Sequence, residues 1–89
     1  MNANYLPSFI RDLKALKKTP VFNTIKTLAF ETIPGYESLE QISHLKKLKG
    51  DDNAYRIRVG DYRLGIFIQN NVVTFARVQH RRDIYRYFP

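Results

Sequence analysis

The 89-residue chain contains no cysteine. That removes disulfide scaffolds, thiolate metal sites and cysteine nucleophiles together, and it suits a reducing compartment. No apolar run approaches the ~18 residues that span a bilayer. Met1 to Ile10 has neither the charged start nor the apolar stretch of a signal peptide, so the expected location is the cytoplasm, with no membrane partner. There is no internal repeat, no low-complexity segment and no Gly/Ser linker. Acidic residues are scarce: 8 Asp and Glu against 15 Lys and Arg, a net charge of +7. They form no cluster at metal-ligand spacing, and Asp51 and Asp52 are neighbours in a turn. G-x-S-x-G, a Walker-type phosphate loop and H-E-x-x-H are all missing. No metal or other cofactor is expected.

What is present is one small globular domain over 1–89. Its 44% apolar residues are ordinary for a folded chain and too many for a disordered one. The basic balance favours a polyanionic partner. The charge is also unevenly built. All seven Lys lie between Lys14 and Lys49, and seven of the eight Arg lie between Arg56 and Arg86. Lysine suits solvated helix faces, whereas the planar fork of arginine holds phosphate oxygens in pairs.

Periodicity gives the elements. Asn2–Leu6 reads as a short strand. Phe9, Leu13 and Leu16 recur at helical spacing. Thr19-Pro20 breaks that helix and starts another, with Thr19 as N-cap and Pro20 in the first turn. Val21, Ile25 and Leu28 carry the apolar stripe to Ile33, where Pro34-Gly35 ends it. Glu37–Ile42 adds a further helical turn. Tyr55–Val59 alternates as a half-buried strand, Gly60-Asp61 fits a two-residue type II′ hairpin, and Tyr62–Ile68 is the next strand. Asn70-Asn71 turns into a third, Val72–Gln79. The tail, His80–Phe88, forms a short closing helix with Ile84 and Phe88 inward. The expected class is α+β, ordered β-α-α-β-β-β, with a mainly antiparallel sheet and the helical hairpin on one face.

The two-residue hairpin fixes a register. Val59 faces Tyr62, Arg58 faces Arg63, Ile57 faces Leu64 and Arg56 faces Gly65. Tyr55, Ile57, Val59, Tyr62, Leu64 and Ile66 then share the core face. Arg56, Arg58 and Arg63 share the other. Like charges directly opposite cost a few tenths of a kcal/mol up to about 1. An anion between them, or full solvation, offsets that. Gly65 leaves room for a ligand backbone opposite Arg56. For Arg77 two outcomes stand open: a two-residue Asn-Asn loop places it on the core face with Val73 and Phe75, and a three-residue loop sends it to the arginine face. Arg, Lys, Tyr and His without a metal suit one reaction, cleavage of RNA by its own 2′-hydroxyl. The protein then orients the phosphate, stabilises charge and moves two protons.

The run KLKG…YRIRVGDYRL…VQHRRDIYRYF, over Leu45–Phe88, resembles the RelE/ParE toxin superfamily of type II toxin–antitoxin systems, on the RelE-like side. The resemblance implies a ribosome-dependent mRNA endonuclease that inhibits translation, leaving a 2′,3′-cyclic phosphate and a 5′-hydroxyl. It implies as partners a cognate antitoxin, the ribosome and mRNA, and a toxin–antitoxin complex on operator DNA. The catalytic candidates it marks are Arg56, Arg58, Arg63, Arg81 and Tyr85. Where some members use a strand lysine or a glutamate as general base, this chain has arginine, a poor base. His80 is therefore taken as the acid or base, with His44 as the other candidate, although nothing in the sequence places His44 near the arginines. Lys47, Lys49, Arg77, Arg82, Lys14, Lys17 and Lys18 are the further RNA-binding candidates, with Lys26 facing ribosomal RNA. The competing readings are a ParE-like gyrase poison and a non-catalytic antitoxin-binding module.

Overall fold

A computed structural model describes all 89 residues. β1 (Asn2–Tyr5) leads into α1 (Pro7–Ala15) and α2 (Phe22–Thr27). The chain stays helical after α2 through one π turn, Leu28–Thr32, and one 3₁₀ turn, Ile33–Gly35. A second 3₁₀ turn, Leu39–Gln41, is closed by a capping box between Ser38 and Gln41. Then come β2 (Leu45–Lys47), β3 (Ala54–Val59), β4 (Tyr62–Gln69), β5 (Val72–His80) and the short α3 (Ile84–Tyr87). The sheet order is β1-β5-β4-β3-β2. β1 runs parallel to β5, and the other pairings are antiparallel. The expected order is present, with β2 as an additional edge strand.

The helices cover one face. Phe9 and Leu13 of α1, and Ile25, Ala29 and Ile33 of the second helical stretch, each pair one turn apart, are buried with Ile57, Leu64, Ile66, Val73, Phe75 and Val78. A large apolar side chain contributes about 1.5–3 kcal/mol on leaving water. Packing rather than propensity therefore holds α2, which has only 6 residues. The junction between the helices differs from the expected one. The Thr19 hydroxyl donates to the Leu16 carbonyl at 2.7 Å, so it closes the end of the first helix. The second starts at Phe22, behind Val21, and not at Pro20.

Both hairpins have two-residue turns. Gly60 alone has positive φ in the first, as type II′ requires, and Asn70 and Asn71 both do in the second, as type I′ requires. The β3–β4 register is the expected one, Arg58 on Arg63 and Arg56 on Gly65 included. The β4–β5 register places Arg77 in the row of Gly65 and Arg56, on the arginine face, and does so through a bulge instead of a longer loop. Ile66 pairs with Phe75 and Gly65 with Arg77, which leaves Ala76 as a bulge. Val73 and Phe75 face the helices, the bulge shifts the phase, and Val78 takes the core position in place of Arg77.

The opposite face carries a second, smaller core of Ala54, Ala76, Ile84 and Phe88, flanked by Leu48 and Phe67. Ile84 and Phe88 do pack inward. The space beside Gly65, however, belongs to the protein's own tail and not to a ligand: a Cβ there would lie 2.5 Å from Phe88 Cγ. Gly65→Ala should therefore cost about 1–3 kcal/mol by overpacking, read as a lower denaturant midpoint. An unchanged midpoint would show that the ring does not fill this gap.

Candidate active site

α3 and its core cover only part of this second face. Residues 54, 56 and 58 alternate onto it, and directly opposite residues of an antiparallel pair point the same way. Arg56 is flanked there by Lys46, its β2 partner, and Arg58 by Arg63. The Arg63 guanidinium is held over the hairpin, its Nη1 donating to the carbonyls of Gly60 at 2.8 Å and Tyr62 at 3.0 Å. Arg81 is brought to the same end by its backbone N–H, which donates to the Asp61 carbonyl at 2.8 Å. Its Nε lies 3.7 Å from Asp61 Oδ1, but both side chains are mostly in water, so this pair contributes little.

Charge converges on Arg63. Burial, the nearby Arg56 charge, and then Arg58 and Arg81 lower its pKa from the ordinary guanidinium value, with Tyr85 acting the other way. It remains a cation at neutral pH. A concentration of like charge around a fixed guanidinium stabilises a bound anion and destabilises the empty fold. Arg58→Thr should accordingly raise stability by about 0.5 kcal/mol, seen as a higher denaturant midpoint, because it removes the opposed cation and introduces a good strand residue. A lower midpoint would mean that Arg58 holds the sheet together. Two polar atoms near the cluster are also unsatisfied. Arg56 Nε and Gln79 Oε1, the latter cross-strand from Arg63, are buried without hydrogen-bond partners.

Tyr85 is 58% exposed and so is no core tyrosine; its ring is free to stack. The closing helix expected over His80–Phe88 is shorter, a turn followed by Ile84–Tyr87.

His80 is not with the arginines. It pairs across the sheet with Tyr62, on the helix-side row, and its ring meets the Tyr62 ring edge-on at 5.6 Å. Its Nδ1 accepts from the Arg82 backbone N–H at 3.1 Å and from Arg82 Nε at 3.3 Å. His80 and Arg82 thus close the turn after β5. Arg77 is likewise engaged internally. Asp12 of α1 takes its Nε at 2.7 Å and Nη2 at 3.1 Å, and the Tyr87 ring lies 5.3 Å away. The Asp12 hydrogen bond raises the Arg77 pKa, against a smaller lowering by burial. Lys47 pairs with Tyr55 and belongs to the helix-side row, whereas Lys46 lies beside Arg56. Lys49 sits in the β2–β3 turn. Lys14, Lys17, Lys18 and Lys26 are exposed on the helical layer, across the sheet from the arginines.

The imidazole that does reach the cluster is His44. Its carbonyl accepts from Arg56 Nη1 at 3.2 Å and from the Arg58 backbone N–H at 3.3 Å. Its ring Nδ1 is 3.0 Å from Arg58 Nη2. The residue has φ 62°, which turns the chain sharply into β2. No group of three or more His, Asp and Glu side chains is placed to hold a metal ion.

A family model described as the ParE toxin of the type II toxin–antitoxin system parDE matches residues 4–85. Toxin RelE3 of Methanocaldococcus jannaschii is 40% identical over 90 residues, spanning 100% of both chains. A chain of the RelB–RelE antitoxin–toxin complex from Methanococcus jannaschii superposes with a TM-score of 0.78 at 38% identity, covering 97% of this chain and 99% of that one. A chain of the E. coli DinJ–YafQ complex shares the fold, with a TM-score of 0.75 at 17% identity and coverage of 94% and 97%.

Proposed function

This chain belongs to the RelE/ParE family of type II toxin–antitoxin toxins, and from that premise we propose that it is a cytoplasmic, ribosome-dependent mRNA endonuclease. The observation that carries this reading is the convergence of Arg56, Arg58 and Arg81 on Arg63, at the end of the sheet that the tail leaves uncovered. RNA supplies its own nucleophile, the 2′-hydroxyl. Attack on the adjacent phosphorus adds negative charge to the phosphate oxygens. Fixed guanidinium groups aimed at those oxygens stabilise the transition state more than the ground state. Arg63, anchored over the hairpin, and Arg58 would grip the non-bridging oxygens. Arg56 and Arg81 would add field from either side. Tyr85, exposed beside them, would stack on a base and hold the linkage in line for attack. The products would be a 2′,3′-cyclic phosphate and a 5′-hydroxyl, and no step calls for a metal. Lysines on the helical layer would meet ribosomal RNA, with Lys14, Lys17 and Lys18 as the candidates.

The related solved structures include the RelB–RelE antitoxin–toxin complex, which supports a cognate antitoxin here. The ParE description of the matching family model favours a second reading, a gyrase poison without a catalytic site. Induction of the protein, with labelled amino acids and thymidine followed in parallel, separates the two. Early arrest of amino-acid incorporation is expected. Early arrest of thymidine incorporation would replace the endonuclease reading with the gyrase one.

A further inference from the structure

Arginine cannot take up the 2′-hydroxyl proton, and the register puts His80 on the other face of the sheet. We propose that His44 is the general base of the cleavage reaction, uncovered when the scissile phosphate draws Arg58 away from its ring; this rests on the endonuclease reading above. Arg58 Nη2 can only donate, so the 3.0 Å contact assigns the lone pair to His44 Nδ1 and the hydrogen to Nε2. The acceptor nitrogen, Nδ1, is therefore the one turned toward the cluster. Arg58 is exposed, and its guanidinium prefers a phosphate to a neutral imidazole, because the phosphate carries the opposite charge and offers two oxygens to the planar fork. Substrate binding and exposure of the base thus become one event.

The groups facing His44 are Arg56 and Arg58 from β3 and Tyr36, which lines the same cleft. No carboxylate forms an ion pair with it. The positive φ of His44 is a conformation that costs a non-glycine residue energy, and backbone strain of this kind clusters at functional sites. In the step itself, the 2′-hydroxyl proton passes to Nδ1 as the 2′-oxygen bonds to phosphorus. The bond from phosphorus to the 5′-oxygen breaks, and that oxygen leaves with a proton from water. The imidazolium then returns its proton to solvent.

The test is single-turnover cleavage of ribosome-bound mRNA between about pH 5.5 and 8, the range in which imidazoles titrate. The wild-type rate should rise with pH with a one-proton slope. His44→Asn, which tolerates positive φ and still offers Arg58 an acceptor, should melt like the wild type. It should cleave about 10²-fold more slowly and lose the slope. His44→Ala should be equally slow and partly restored by added imidazole. If His44→Asn keeps the wild-type rate and slope, the ring is no base and the proposal fails alone. If the wild-type protein leaves the mRNA intact, the endonuclease reading fails and takes this proposal with it.

Discussion

Arg63→Ala should slow cleavage of ribosome-bound mRNA by about 10²-fold or more, the scale of losing one preorganised charge donor at a developing oxyanion. The size of the effect follows from anchoring. Gly60 and Tyr62 carbonyls fix the guanidinium before substrate arrives, so little reorganisation is needed at the moment of reaction. Arg81→Ala should fall in the same range. Arg63→Lys should recover only part of the loss, because an ammonium offers no planar fork for two oxygens. Single-turnover rates of the purified variants measure this directly, and Arg63→Ala or Arg81→Ala cutting at the wild-type rate would remove that arginine from the site. Antitoxin binding should largely survive all three changes, which separates loss of chemistry from loss of fold.

Asp12→Ala should lower stability by about 1–3 kcal/mol, the cost of leaving part-buried hydrogen-bond donors without their partner. The Asp12 and Arg77 side chains are only 10% and 20% exposed. Asp12 also accepts the Val78 backbone N–H at 3.1 Å, so its loss leaves three N–H donors without a partner where β5 extends beyond β1. Urea unfolding gives the number. Replacing both charges, as Asp12→Leu with Arg77→Met, should recover much of the deficit, since a well-packed apolar pair often equals an ion pair drawn out of water. A single Asp12→Ala change costing under about 0.5 kcal/mol would place the pair among ordinary surface contacts. The pKa of Arg77 is raised in the fold, so its share of this stability is complete below the ordinary guanidinium pKa and is lost only as pH climbs past the raised value. No loss from this group is expected across the neutral range.

The arginine face could be read from the sequence because turn chemistry fixes register. Gly60-Asp61 permits only a tight hairpin, and a period of two does the rest, so Arg56, Arg58 and Arg63 fall on one side without knowledge of any tertiary contact. Features that depend on long-range packing were not legible in this way. β2 is three residues long and exists only through pairing with β3, so nothing local in the sequence shows that Lys46, and not Lys47, lies beside Arg56. The Ala76 bulge has no local signature, yet it decides which way Arg77 points. Gly65 suggests open space, and only the return of the tail shows that Phe88 fills it.

The two histidines exchange places relative to the arginines for the same reason. His80 is next to the arginines in sequence but one residue out of phase with their face. His44 is 14 positions from Arg58 in the chain and within hydrogen-bond reach of it in space. Its one signal in the sequence is its place just before the lysine-rich run Lys46-Lys47.

The measurement closest to the central claim is a structure of the protein on a ribosome whose A-site mRNA carries a 2′-O-methyl group at the scissile nucleotide, which blocks the nucleophile without altering the phosphate. The account predicts guanidinium nitrogens of Arg58 and Arg63 within about 3 Å of the non-bridging oxygens of that one phosphate. The same linkage resting against Lys14, Lys17 and Lys18, with the sheet's arginines left in water, would contradict it.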